Sequence, residues 1–146
     1  MKYSEIKKAV NEKLKALYPE IPRYGKEVAD GYSHPCFFPY ILPKGSRADT
    51  KNFASGGFTV KITYMQDVRD EADMLEKYDC IAEGFGMFLQ VGERKILAGE
   101  KSFEYVGKKA DILQISIEYD YKENIHVDDD AEVAQSVTFN FKERKK

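Results

Sequence analysis

Apolar residues recur along this chain with two different periods, and the switches between them outline its elements. In Tyr3–Tyr18, Ile6, Val10, Leu14 and Leu17 are spaced four, four and three apart, which predicts one stripe of an amphipathic helix. Lys7, Lys8, Glu12, Lys13 and Lys15 fall mainly off that stripe. Ser4 and Glu5 mark its start, although Lys7 stands where a capping box would place Glu or Gln. Pro19 and Pro22 end it, because a residue before proline disfavours the helical region. Residues 35–43, P-C-F-F-P-Y-I-L-P, read as a strand. Pro39 in its middle has no amide hydrogen, so this strand belongs at a sheet edge or a bulge. Residues 43–57 carry three glycines and Lys44, Arg47 and Lys51 against Asp49, and read as a long loop.

Residues 58–66 alternate strictly. Phe58, Val60, Ile62 and Tyr64 point one way, and Thr59, Lys61 and Thr63 the other, as in a half-buried strand. A second helix is expected over 67–89, with Met74, Tyr78, Ile81, Phe85 and Phe88 on one face. Asp67, Asp70, Glu71 and Asp73 crowd its first turns, where the helix dipole favours negative charge. Gly84 and Gly86 imply either a close neighbour or an early end. Beyond it the pattern is β. Residues 94–98 and 101–106 flank Gly99-Glu100, which suits a two-residue hairpin turn. Residues 107–110 make another turn, 112–121 alternate, and after a link containing Asp128-Asp129-Asp130 the alternation returns over 133–141. The expected fold is α+β: a single mixed or antiparallel sheet with two helices packed on one face. It forms one domain over 1–146, with 123–146 as a C-terminal extension carrying an extra strand.

Composition narrows the function classes. Apolar residues make up 42% and charged residues 33%, as in a globular chain. The balance of 23 basic and 25 acidic residues argues against a dedicated nucleic-acid binder. No apolar run approaches a membrane span, and the first residues lack the apolar core of a signal peptide. A protein made and used in a cytoplasm is expected, with Cys36 and Cys80 as buried thiols. His34 lies two residues before Cys36, but nothing completes a zinc ligand set, and His126 reads as a surface residue. Gly84-Phe85-Gly86 lacks the third glycine and the strand-to-helix context of a dinucleotide fingerprint. Asp128–Asp130 lacks the spacing of a calcium loop. No catalytic group, cofactor or metal site is expected, so the chain is read as a non-enzyme.

The order of these signals resembles a family, the tail terminator proteins of bacteriophages and prophages. The resemblance rests on residues 4–28 (S-E-I-K-K-A-V-N-E-K-L-K-A-L-Y-P-E-I-P-R-Y-G-K-E-V), on H-P-C-F-F-P-Y-I-L-P, on F-T-V-K-I-T-Y over 58–64, and on Tyr119-Asp120-Tyr121. The extension over 123–146 and the Gly84 and Gly86 interruption depart from the family's pattern. The resemblance implies a structural virion protein, assembled in the host cytoplasm and carried in the tail. Its subunits would close into a ring, commonly six-fold, that caps the tail tube, stops its growth and presents a surface to head-completion (neck) proteins. The implied partners are further copies of the chain, the tube protein and a neck protein, with no membrane and no direct nucleic-acid recognition.

A head-to-tail ring needs two different complementary patches on each subunit. The basic loop residues Arg47 and Lys51, with Asp49 and Phe53, form one candidate interface with a neighbour or the tube. Asp67, Arg69, Asp70 and Asp73 at the start of the second helix form the other. The alternative readings are a small intracellular ligand-binding or enzymatic α+β domain of unknown substrate, and an interaction module outside phages.

Overall fold

The computed structural model describes residues 2–24 and 35–124. Helix α1 (Tyr3–Leu17) begins at Tyr3 as the sequence indicates, with Lys2 rather than Ser4 at the N-cap and the Lys2 amide donating to Glu5 Oε1 at 3.4 Å. Ile6, Val10 and Leu14 are fully buried, and Leu17 packs at the margin of the core. Strands β1 (Cys36–Ala48) and β2 (Phe53–Met65) form a long hairpin. Helix α2 spans Glu71–Phe85, followed by β3 (Phe88–Val91), β4 (Arg94–Val106) and β5 (Ile112–Asn124). The five strands are antiparallel in the order β1-β2-β5-β4-β3, and the only parallel contact among the described residues is the isolated Arg23–Phe37 bridge.

The core lies between one sheet face and the two helices. Phe58, Val60, Ile62 and Tyr64 of β2 and Leu113, Ile115, Ile117 and Tyr119 of β5 meet Ile6, Val10, Leu14, Met74, Ile81 and Phe85. The α+β class and the packing of both helices on one face stand as expected. Pro39 lies on the edge strand β1, as its missing donor requires.

Four expectations need correction. The loop expected over 43–57 is mostly strand. β1 continues to Ala48 and β2 begins at Phe53, so only 49–52 make the turn. Both faces of this stretch are largely exposed, so no apolar alternation could reveal it; its order comes from pairing, with β5 running beside β2 as far as Phe53–Asn124. The second helix starts at Glu71, with Asp70 as N-cap, and stops at Phe85 because Gly86 takes a φ of 64°. Phe88 is therefore not on a helix face but in β3, opposite Leu97. Gly99-Glu100 is a bulge inside one continuous β4, since β5 pairs with residues on both sides of it. The hairpin turn lies instead between Val91 and Arg94. The strand expected at 133–141, His34, His126 and Asp128–Asp130 lie outside the described residues.

Gly84 answers the question its position raised. A Cβ there would sit 2.6 Å from Leu17 Cδ2, so the glycine lets α1 and α2 approach closely. Lys101 then closes the end of α2, its ammonium donating to Ala82 O and Gly86 O at 2.7 Å each.

Candidate assembly surfaces

The two groups of candidate residues lie at opposite ends of β2, about 40 Å apart along an extended strand. The first occupies a three-stranded arm made of 44–48 of β1, 53–57 of β2 and 120–124 of β5, whose base meets α1 through the Tyr3 hydroxyl, which donates to Gly57 O at 3.4 Å. At its tip the Asp49 and Thr50 amides donate to Phe53 O, and Thr50 Oγ1 accepts from the Asn52 and Phe53 amides. Asp49 accepts from Ser55 Oγ and from Arg47 Nε, the latter at 3.4 Å. The Ser55 hydrogen bond, with the charges of Arg47 and Lys122, holds its carboxyl below the ordinary range. The Arg47 side chain is still 83% exposed, Lys51 is exposed on the turn, and Phe53 is half exposed.

Lys44 contributes less free charge than its place in the basic stretch suggests. Its ammonium donates to Glu118 at 2.7 Å and lies 3.6 Å from Asp120, and the Glu118 hydrogen bond raises its pKa. The structure adds residues that the sequence reading left out. Arg94 donates to Lys122 O at 2.8 Å and to Glu123 Oε1 at 3.4 Å, with its guanidinium 5.8 Å from the Tyr121 ring centroid. A groove of about 410 Å³ is lined by Phe53, Arg94, Lys122, Glu123 and Asn124. The missed signal was the length of β5, since its apolar alternation fades before the strand ends.

The second group sits where β2 passes into α2. Asp67 is exposed. Arg69 donates to Ala110 O at 3.1 Å and lies 5.9 Å from the Tyr105 ring centroid, which ties this link to the turn before β5. Asp70 caps α2 by accepting from the Asp73 amide, and Gln66 brackets Asp70 through both its backbone groups. Asp73 faces inward. It accepts from Tyr64 Oη at 2.6 Å, Gln66 Nε2 at 2.8 Å and Lys77 Nζ at 2.7 Å. Burial alone would raise its pKa, but hydrogen bonds from Lys77, Tyr64 and Gln66 outweigh that and lower it. Lys77 lies 5.1 and 5.3 Å from the ring centroids of Tyr18 and Tyr64. Of the four residues in this group, Asp67 is the exposed charge with no hydrogen bond or ion pair among the described residues, while Asp70 and Asp73 hold the helix start together. Glu71, Glu76, Asp79 and Glu83 are exposed on α2, whose one base, Lys77, is buried, so the acidic surface continues along the helix.

The described residues hold no group of three or more His, Cys, Asp or Glu placed to bind a metal ion. None of their helices is long and apolar enough to cross a membrane. Cys36 and Cys80 are free thiols, the first buried and the second partly so.

The family model described as phage tail terminator protein matches residues 5–132. The chain belongs to that family, and with it to the structural proteins of phage tails. No curated protein sequence matches it. Among solved structures, a chain of "Virion of native gene transfer agent (GTA) particle" is similar at 15% identity. The match covers 81% of this chain and 93% of that one, with a TM-score of 0.49.

Proposed function

We propose that the protein ends a phage tail. Its subunits close into a ring, six-fold in the simplest case, on the finished tail tube. The ring stops further addition of tube protein and offers a surface to the head-completion proteins. The match of the tail terminator family to residues 5–132 carries this reading. The separation of the two candidate surfaces supports it. A ring built by one repeated contact needs two different patches per subunit, pointing to different neighbours. The arm with Arg47, Asp49, Lys51 and Phe53 supplies one, and the end marked by Asp67, Arg69, Asp70 and Asp73 the other. In this arrangement the exposed Arg47 and Lys51 of one subunit face the acidic end of α2 in the next, with Asp67 as the nearest free carboxylate. Asp70 and Asp73 shape that end rather than pair across it.

The work is structural and uses no cofactor. The test is tube growth. Tube protein from the same phage is polymerised with and without this protein, and tube lengths are measured by electron microscopy. Arrest at substoichiometric amounts supports the proposal. Unchanged lengths at saturating amounts overturn it.

A further inference from the structure

All three strands of the arm are weakened at one level. In β1 the register shifts between Pro43 and Gly45. In β2 the residues there are Gly56 and Gly57, the second opposite Gly45. In β5 Tyr121 and Asp120 lie opposite the two glycines. At this point β5 loses its other neighbour, because its ladder with β4 ends at the Ala98–Tyr119 pair. A bulge, a glycine pair and the end of a ladder thus fall on one line across the base of the arm. Glycine loosens a strand, and a few such residues are enough to absorb a hinge rotation.

Both faces of this line are clamped. On the helix face the Tyr121 ring lies against Gly56, where a Cβ would meet its Cζ and Oη at 2.9 Å. The ring is 6.1 Å from that of Phe58 in the core, and its hydroxyl is hydrogen-bonded to that of Tyr3 at the start of α1. On the opposite face Lys44 reaches from β1 to Glu118 and Asp120 of β5. It crosses Gly57, whose Cβ would meet Asp120 Oδ1 at 2.6 Å.

Arg94 is the third hold, and it stands where β4 would otherwise run beside the arm. It follows the turn that joins β3 to β4, and Val91 before the turn and Ile96 after it are buried in the core. From this base it donates to Lys122 O and Glu123 Oε1 and sets its guanidinium over Tyr121. One side chain thus replaces the missing backbone ladder. Its side chain is 41% exposed, so water can take over these contacts and the hold can open without disturbing the core.

We infer that the arm is a hinged element turning at Gly56-Gly57, and that Arg94 is the latch that fixes its direction. For assembly this rests on the ring reading above. Arg94 is a positioning residue, which presents Arg47, Lys51 and Phe53 to the next subunit already aimed. An arm aimed beforehand loses little freedom on contact, whereas a loose one must be ordered by the contact itself.

Spin labels at Asn52→Cys on the turn and Glu12→Cys on α1, both exposed positions, read the direction of the arm in the free chain. The background carries Cys80→Ser, and Cys36 is fully buried. Excess unlabelled protein keeps the measured distances within one chain. With Arg94 in place the distance distribution should be single and narrow. Arg94→Ala should make it at least about twice as wide while the melting temperature stays within about 4 °C. Arg94→Lys keeps the charge but not the planar fork, and should widen it less. A broad distribution with Arg94 in place overturns the inference, as does one that stays narrow in Arg94→Ala. Broadening with a larger fall in melting temperature also overturns it, because the body has then loosened with the arm. These distances decide the latch without tubes, so they stand apart from the tail reading. Tube growth reads the consequence. Unlabelled Arg94→Ala should need about tenfold more protein than wild type to arrest it, and equal amounts would remove the positioning role.

Discussion

Lys77 and Asp73 lie one turn apart on α2 and form an ion pair at 2.7 Å whose ammonium side is only 11% exposed. The pair sits beneath the acidic end of the helix and is held by Tyr18 and Tyr64 through the ammonium and by Tyr64 and Gln66 through the carboxylate. Removing one member of a shielded pair leaves the other desolvated without its partner. Lys77→Ala should cost about 2 kcal/mol in urea unfolding, less than a fully buried pair because solvent still reaches Asp73. Lys77→Met keeps most of the apolar stem, so any difference between the two variants measures packing. A loss below about 0.5 kcal/mol for Lys77→Ala would show the pair to be a surface feature.

The same site sets a dependence on pH. The native Asp73 carboxyl titrates below its ordinary value of 3.8. The folded state therefore binds this proton less readily than the unfolded chain does, and Asp73 stabilises the fold at pH above the unfolded value. That stabilisation is lost as pH falls through the lowered native value. Thermal melts should show stability falling below about pH 4. Asp73→Asn should be less stable than wild type at pH 7, and the gap should narrow as pH falls through this window. A gap that stays constant from pH 7 to pH 2 would contradict the assignment.

Gly84 should not tolerate a side chain. Its Cβ would meet both Leu17 methyl carbons at under 3 Å, so Gly84→Ala should destabilise by about 1–3 kcal/mol despite the better helix propensity of alanine. Leu17→Ala in the same chain makes room. The double variant should be more stable than the sum of the single losses implies, and strict additivity would exclude the contact.

Tyr119 offers a gain. Its ring stacks on Phe58 at 5.1 Å, while its buried hydroxyl has no hydrogen-bond partner among the described residues. Tyr119→Phe keeps the ring and removes the unsatisfied group, so unfolding should show equal or greater stability, up to about 1 kcal/mol. A clear loss would reveal a partner for the hydroxyl.

The arm prediction concerns assembly. Arg47→Glu with Lys51→Glu changes exposed residues and should leave the melting temperature within a few degrees of wild type. It should weaken ring formation, and Asp67→Lys in the same chain should restore part of it. Rings formed by the charge-reversed protein at wild-type concentration would remove these charges from the contact.

The core was legible in the sequence because burial imposes a period. Ile6, Val10 and Leu14 repeat with the helix, and Val60, Ile62, Ile115 and Ile117 repeat with the strand. The arm was not, since most of its residues are exposed or half-buried and its Gly, Ser and Ala residues look like loop; pairing with β5 and between β1 and β2 orders it. Gly99 misled for a related reason. Glycine marks turns and bulges alike, and the choice depended on a partner strand long enough to span both halves of β4. Of the candidate surface residues, the charges were visible in the sequence. Whether each was free was not, because the ties of Asp73 to Tyr64 and of Lys44 to Glu118 join residues distant in the chain or on different elements.

A tail terminator sits on the end of a tail tube, and electron microscopy of purified tubes incubated with this protein tests that placement directly. Ring-shaped density is expected on one end of the tubes, with the protein bound in a fixed ratio per end. Bare tube ends at saturating protein, or protein spread evenly along the tube wall, would contradict it.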